Sequence, residues 1–253
     1  MGKPDSRTAP FLRPIVENRG LPVNDRRRWI LDLVATVTIL LTCSVIVWAV
    51  ARGPRATRAE LAVPAEPFDL VGTHGKGSPV APIVMIEYGD FECVACAAFA
   101  SRVLPKLTTE FVQRGTLEFK FQHFPLTKIH PFAEQAAMAA DCAGTQGKFW
   151  EMHDSLLARE APLNGSFLMN VAAQLRLDEG AFHNCLASSN GDKLEQERAA
   201  AKSLGVTSTP SFFIGRLLPD GRLSVAKAIR GNRPFEDFAA IVRSLTVSVG
   251  EGQ

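Results

Sequence analysis

The feature that most restricts this chain is Cys93-Val94-Ala95-Cys96, which sits directly behind an apolar run and ahead of a helical pattern. Val80 to Tyr88 (VAPIVMIEY) is short, apolar and β-branched, and predicts a buried strand. After Cys96, the residues Phe99, Val103, Leu107 and Phe111 recur at helical spacing. Pro105 should kink that helix or restrict its start, and Gly115 should end it. A C-x-x-C that follows a strand and opens a helix is a redox arrangement. Unpaired N–H groups and the macrodipole at the helix N-terminus favour a thiolate at the first sulfur. The second sulfur lies one turn on, close enough to close a disulfide. Exchange then runs through a mixed disulfide, with the first cysteine as the exposed attacking or leaving group.

Plainer readings of the pair are weaker. A structural disulfide over so small a loop would constrain the unfolded chain little. A zinc site needs four ligands, and the sequence holds neither a second C-x-x-C nor an H-x₃₋₅-H. Cys142 and Cys185 could complete a four-cysteine site only at an atypical spacing. Inert packing cysteines are the third alternative. Redox chemistry is favoured, and no metal and no cofactor beyond the redox-active disulfide is expected.

The remaining elements follow in order. Thr116 to Phe124 alternates and predicts a second strand, stopped by Pro125. Pro131 suits a first helical turn, and that helix should run to Ala143 and end at Gly144. Further helices are expected at 148–159, 166–176 and 178–188, and another from an N-cap at Asn190 to Gly205. Ser211–Leu217 and Leu223–Ile229 read as a hairpin around Pro219-Asp220-Gly221, and a last helix runs from Pro234 to about Thr246.

The N-terminal part has a different character. Residues 1–28 are polar and rich in Pro and Arg, and read as a cytoplasmic tail. Leu33 to Val50 carries no charge over 18 residues, which as a helix covers roughly 27 Å, close to a bilayer core. Trp29 and Trp48 lie near its two ends. Five arginines fall in residues 9–28 and three in residues 51–70, a mild bias toward an inside N-terminus. A cleaved signal peptide is the alternative, because Ala49-Val50-Ala51 fits a small-residue cleavage pattern. The length of the apolar run and of the leading tail favours a retained anchor over 29–50. Residues 51–77 have linker composition, so the folded domain is expected over 78–250. The formal net charge of +2, without a basic stripe interleaved with aromatics, argues against nucleic acid.

Three segments carry a resemblance. Ile86-Glu87-Tyr88-Gly89-Asp90-Phe91-Glu92-Cys93-Val94-Ala95-Cys96 is similar to the active-site segment of DsbA-like proteins in the thioredoxin superfamily. Gly205 to Gly215 (GVTSTPSFFIG) resembles the family's cis-proline strand, and Gly147 to Asp154 (GKFWEMHD) its helical insertion. The resemblance covers roughly 78–248. It implies an α/β, thioredoxin-like fold with an inserted helical subdomain at about 130–205, preceded here by a single transmembrane helix.

The same resemblance implies roles. Cys93 and Cys96 would be the redox pair, and the Thr209–Pro210 bond would be cis and face it. Proline cannot donate a ladder hydrogen bond, so the Thr209 backbone would be left to pair with a substrate peptide. Glu87 would be a buried acid that relays the proton of Cys96, with a pKa raised by desolvation; a strand-end carboxylate reaching water is the alternative. Lys120 or Glu118 could be its partner. His123 reads as a satisfied core or surface histidine. Cys142–Cys185 is expected as a structural disulfide, as in some family members, with two buried free thiols as the alternative. Val94-Ala95 lacks the histidine of the strongly oxidising enterobacterial enzyme, and Asp90 and Glu92 add negative charge nearby. Both changes imply a milder oxidant.

The activity implied is oxidation of cysteine pairs in exported proteins, from a bacterial inner membrane with the domain in the periplasm or outside the cytoplasmic membrane. A membrane redox partner of the DsbB or vitamin K epoxide reductase type would take the electrons. The rivals are a reductase or isomerase with the same residues, and a non-catalytic thioredoxin-like chaperone or assembly factor.

Overall fold

The computed structural model describes residues 23–51, 61–70, 72–189 and 191–250. They belong to two compact units that divide after Thr57. The first holds one helix, α1 (Val23–Ala51). Its stretch Arg27–Ile46 has a mean hydropathy of 2.1 and is long and apolar enough to cross a membrane. The hydroxyls of Thr36, Thr38, Thr42 and Ser44 bond back to carbonyls one turn earlier, so none needs water. The helix starts ahead of the expected edge at residue 29, so residues 23–28 are helical rather than tail. The rest of the expected tail, and residues 52–60 of the expected linker, lie outside the described residues.

The second unit is built on a five-stranded sheet of order β1-β3-β2-β4-β5. The strands are β1 (His74–Lys76), β2 (Ile83–Gly89), β3 (Leu117–His123), β4 (Ser211–Leu217) and β5 (Leu223–Arg230). β2 and β3 pair in parallel and every other pair is antiparallel. A parallel pair needs a crossover, and the helical segment behind Cys93 supplies it. It comprises α2 (Val94–Arg102), α3 (Leu104–Leu107) and a π-helical turn at Thr108–Val112. The expected single helix is broken because Pro105 can enter only at the first turn of a new one. Five helices then form the insertion: α4 (Ala133–Gly144), α5 (Phe149–Leu157), α6 (Gly165–Gln174), α7 (Glu179–Ser188) and α8 (Asp192–Ser203). Asn164 and Asp178 cap α6 and α7 by accepting from Phe167 N and Ala181 N. Asn190, expected to cap α8, lies outside the described residues. The chain closes with the β4–β5 hairpin and α9 (Phe235–Gly250).

Every residue of β2 is buried, because both faces of the sheet are covered. Ile83, Met85, Phe212 and Ile214 pack with Phe99, Leu107 and Phe238 on one face. Val84, Ile86, Tyr88 and Phe213 pack with Leu61, Ala201 and Val206 on the other. The insertion has its own core, which includes Phe91, Cys93 and Cys96.

The linker expected over 51–77 requires correction. Leu61 is buried, Phe68 bridges Leu223, and His74–Lys76 pair with β3. Gly72, Gly75 and Gly77 contributed to its linker composition, yet Gly75 lies within β1, paired with Lys120. The folded unit therefore reaches N-terminal of residue 78.

Cys142 in α4 and Cys185 in α7 are joined, with Cα atoms 5.8 Å apart and a sequence separation of 43. Loop-closure entropy over that separation corresponds to about 4 kcal/mol. Replacing both by alanine should lower unfolding free energy by about that amount in urea melts, with the sheet retained. A second expectation concerns the bulge between Ile214 and Gly215. A Cβ at Gly215 would stand 1.9 Å from Ser224 O, so Gly215→Ala should cost at least about 2 kcal/mol in the same assay.

Candidate active site

The site begins where β2 ends. Cys93 occupies the N-cap of α2 in an extended conformation, φ −75° and ψ 116°, and its carbonyl accepts the first helical bond from Ala97 N at 3.1 Å. Its sulfur stands at the first turn, where the N–H groups of Ala95 and Cys96 stabilise its charge. Cys96, one turn on, is fully buried, and both cysteines are free thiols.

The two sulfurs are electrostatically unequal. The Cys93 thiol is lowered to about 6, chiefly by a hydrogen bond from the Cys96 side chain, with the backbone N–H groups of Ala95 and Cys96 contributing and burial opposing. Cys96 is pushed well above an ordinary thiol by burial, by that same bond and by the nearby Glu87. Near neutral pH the pair therefore holds a thiolate at Cys93 and a thiol at Cys96.

Glu87 lies on the β2 face that carries Ile83 and Met85, the face covered by α2. It is buried, and neither carboxyl oxygen has a hydrogen-bond partner among the described residues. Burial first, and the Cys93 charge second, raise its pKa well above the carboxylate range, while the neighbouring Cys96 thiol lowers it slightly. The two partners considered for it pair with each other instead, Lys120 Nζ donating to Glu118 Oε1 at 2.9 Å. A buried acid without a counter-charge is held neutral and able to exchange a proton.

The Thr209–Pro210 peptide is cis, and Cys93 Sγ lies 3.4 Å from Thr209 O, to which it donates in the thiol form. This contact joins positions 116 residues apart at the mouth of the site. Pro210 O is taken by Gly231 N at 2.7 Å, and the buried Thr209 side chain helps to lower the Cys93 thiol.

Asp90 and Glu92, read from the sequence only as negative charge near the pair, set the local geometry, and Arg159 joins them. Asp90 is buried, and its carboxylate accepts from Glu92 N, Leu126 N and His130 Nδ1 at 2.7–2.8 Å. Glu92 accepts from Phe132 N at 2.6 Å. Arg159 donates to Phe91 O. The negative charges of Asp90 and Glu92 thus tie the approach to Cys93 to the segment before α4, and are compensated there. An Asp four positions from a helix start is the only local signal, and its partners are remote in sequence. His123 is buried with Nε2 3.1 Å from Asp141 Oδ1.

A thioredoxin family model matches residues 69–227. The chain belongs to the thioredoxin family. Its fold superposes on the crystal structure of alpha-DsbA1 from Wolbachia pipientis with a TM-score of 0.62 and 26% identity, covering 70% of this chain and 92% of that one. BdbD from Bacillus subtilis shares the fold at a TM-score of 0.57 and 19% identity, over 73% of this chain and 96% of that one. Among curated proteins, the chain is 38% identical over 194 residues to the Na(+)/H(+) antiporter NhaA 1 of Salinispora arenicola, covering 72% of this chain and 29% of that protein. The chain spans under a third of the length of the curated relatives it matches. Within its family this thioredoxin-fold chain is DsbA-like, with the helical insertion between β3 and β4.

Thiolate absorbance of the reduced protein should titrate with a midpoint near 6. Cys96→Ala should move that midpoint upward, because it removes the largest stabilising bond. The depressed Cys93 pKa stabilises the reduced fold fully above the ordinary thiol value of 9.0, and that contribution is lost as pH falls through about 6. Denaturant midpoints of the reduced protein between pH 5 and 9 should follow that sign.

Proposed function

We propose that this DsbA-like chain is a protein thiol–disulfide oxidoreductase that oxidises cysteine pairs of exported proteins. The observation that carries the reading is the ionisation asymmetry of Cys93 and Cys96 beside the cis Thr209–Pro210 bond. In the oxidised enzyme the two sulfurs form a disulfide. A substrate thiolate attacks Cys93 Sγ, and Cys96 leaves as a thiolate that takes up a proton. Glu87, neutral beneath it, supplies that proton and recovers one from the substrate's second thiol. This thiol attacks the substrate sulfur of the mixed disulfide and expels the Cys93 thiolate. The substrate gains one disulfide and the enzyme two electrons. A leaving thiolate with a low pKa favours that last step.

α1 would hold the domain at a bacterial inner membrane, with the catalytic part in the periplasm or outside the cytoplasmic membrane. The apolar stretch Arg27–Ile46 and the arginine bias before it support this placement. The reduced enzyme would return two electrons to a membrane partner of the DsbB or vitamin K epoxide reductase type. A Cys93 pKa of about 6 lies between about 3.5 for the strongest oxidant of this class and about 7 for thioredoxin. The reduction potential should accordingly fall between about −120 and −270 mV.

Trapping tests the reading. Cys96→Ser in the full-length chain should accumulate covalent mixed disulfides at Cys93 with reduced exported proteins, and Cys93→Ser should yield none. Glu87→Gln should slow turnover by about tenfold or more without preventing trapping. Partners that are held only noncovalently would sink the oxidoreductase and favour a binding protein.

A further inference from the structure

We propose that His74 Nε2, His123 Nε2 and Asp141 Oδ1 form a binding site for one divalent transition-metal ion of the zinc class. The three come from β1, β3 and α4, and their donor atoms all lie within 4.8 Å of one another. His74 Nε2 is 2.7 Å and His123 Nε2 3.1 Å from Asp141 Oδ1. Ligands on a tetrahedral zinc ion at about 2.0–2.1 Å stand about 3.4 Å apart, so small shifts would admit the ion. Two imidazoles and a carboxylate are a donor set that zinc accepts. His74 and Asp141 are both partly exposed, which leaves an entry path and room for a water as fourth ligand.

The rings are oriented in advance. His74 stacks on Phe149 with centroids 3.5 Å apart and planes 7° from parallel. His123 is buried among Phe91, Phe121 and Phe149. Its Nδ1 has no hydrogen-bond partner among the described residues. If Nε2–H donates to Asp141, Nδ1 holds a bare lone pair among aromatic rings. A metal at Nε2 moves the proton to Nδ1, where π-systems receive an N–H better than they receive a lone pair.

The competitor for the site is also present. Lys193 Nζ lies 2.7 Å from Asp141 Oδ2 and 3.5 Å from Glu197 Oε1. It takes the oxygen that the imidazoles leave, and its side chain is more than half exposed. It can withdraw toward Glu197 when a second cation arrives. The bound ion would tie the edge strand β1 to the sheet and to α4, one position before the disulfide at Cys142.

The test is a Co²⁺ titration of the full-length protein with Cys93 and Cys96 oxidised, so that neither thiol can ligate. One equivalent should bind with visible d–d absorption and raise the melting temperature. His74→Ala, at an edge strand, should weaken binding by more than about tenfold while far-UV dichroism stays unchanged, and Asp141→Asn should abolish the absorption. Lys193→Ala should tighten binding. Binding that is absent, or that survives His74→Ala and Asp141→Asn unchanged, overturns the site and leaves the three residues as a hydrogen-bonded staple.

Discussion

Strand β2 runs through the centre of the sheet, hydrogen-bonded on both edges and covered on both faces. Burial on that scale admits no water, so any polar group on the strand must be paired, neutralised or used. Glu87 is the one ionisable side chain there below Tyr88, and it is unpaired. The same parallel pairing with β3 forces a crossover, and the crossover begins with the helix whose N-terminus carries Cys93. The acid and the two sulfurs are thereby consequences of one packing constraint.

That constraint also separates the roles of the cysteines. They are three positions apart, so one helical turn carries Cys96 into the core while Cys93 stays at the cap. Desolvation penalises a charge on Cys96 and on Glu87 far more than on Cys93, which keeps the company of N–H groups. Cys96 and Glu87 keep their protons, so the thiolate of the pair forms at the cap. The difference between the two sulfurs resides in position rather than in the identity of Val94 and Ala95.

The insertion is held to the sheet by polar contacts that cross long stretches of sequence. Asp90 bonds Leu126 N and His130, Trp150 Nε1 donates to Gly75 O at 2.8 Å, and Asp141 gathers His74, His123 and Lys193. Desolvation opposes the ionised Asp141, yet bonds from His123 and His74 outweigh it and hold its carboxyl below the usual range. The Cys142–Cys185 bridge joins α4 to α7, so α4 is fastened both to its neighbours and to the sheet.

Much of this was legible in residue order. The periodicities of β2, β3 and the β4–β5 hairpin lie close to the observed bounds, because a strand buried on one or two faces writes its burial into its own residues. The C-x-x-C at a helix start was legible for the same reason: both sulfurs and the helical turn between them are local. β1 was not legible, since His74-Gly75-Lys76 has no strand pattern and is a strand only because β3 lies beside it. Nor did the sequence reveal that Asp90 and Glu92 would be compensated by His130, Leu126 and Phe132. By itself the sequence determined the order of elements, the apolar N-terminal helix and the placement of two sulfurs at one helix start. The tertiary structure alone decided which sulfur ionises, that Glu87 stands without a counter-charge, and that two histidines meet one aspartate. Desolvation and charge compensation depend on what surrounds a group in space, and those surroundings come from chain segments far away in sequence.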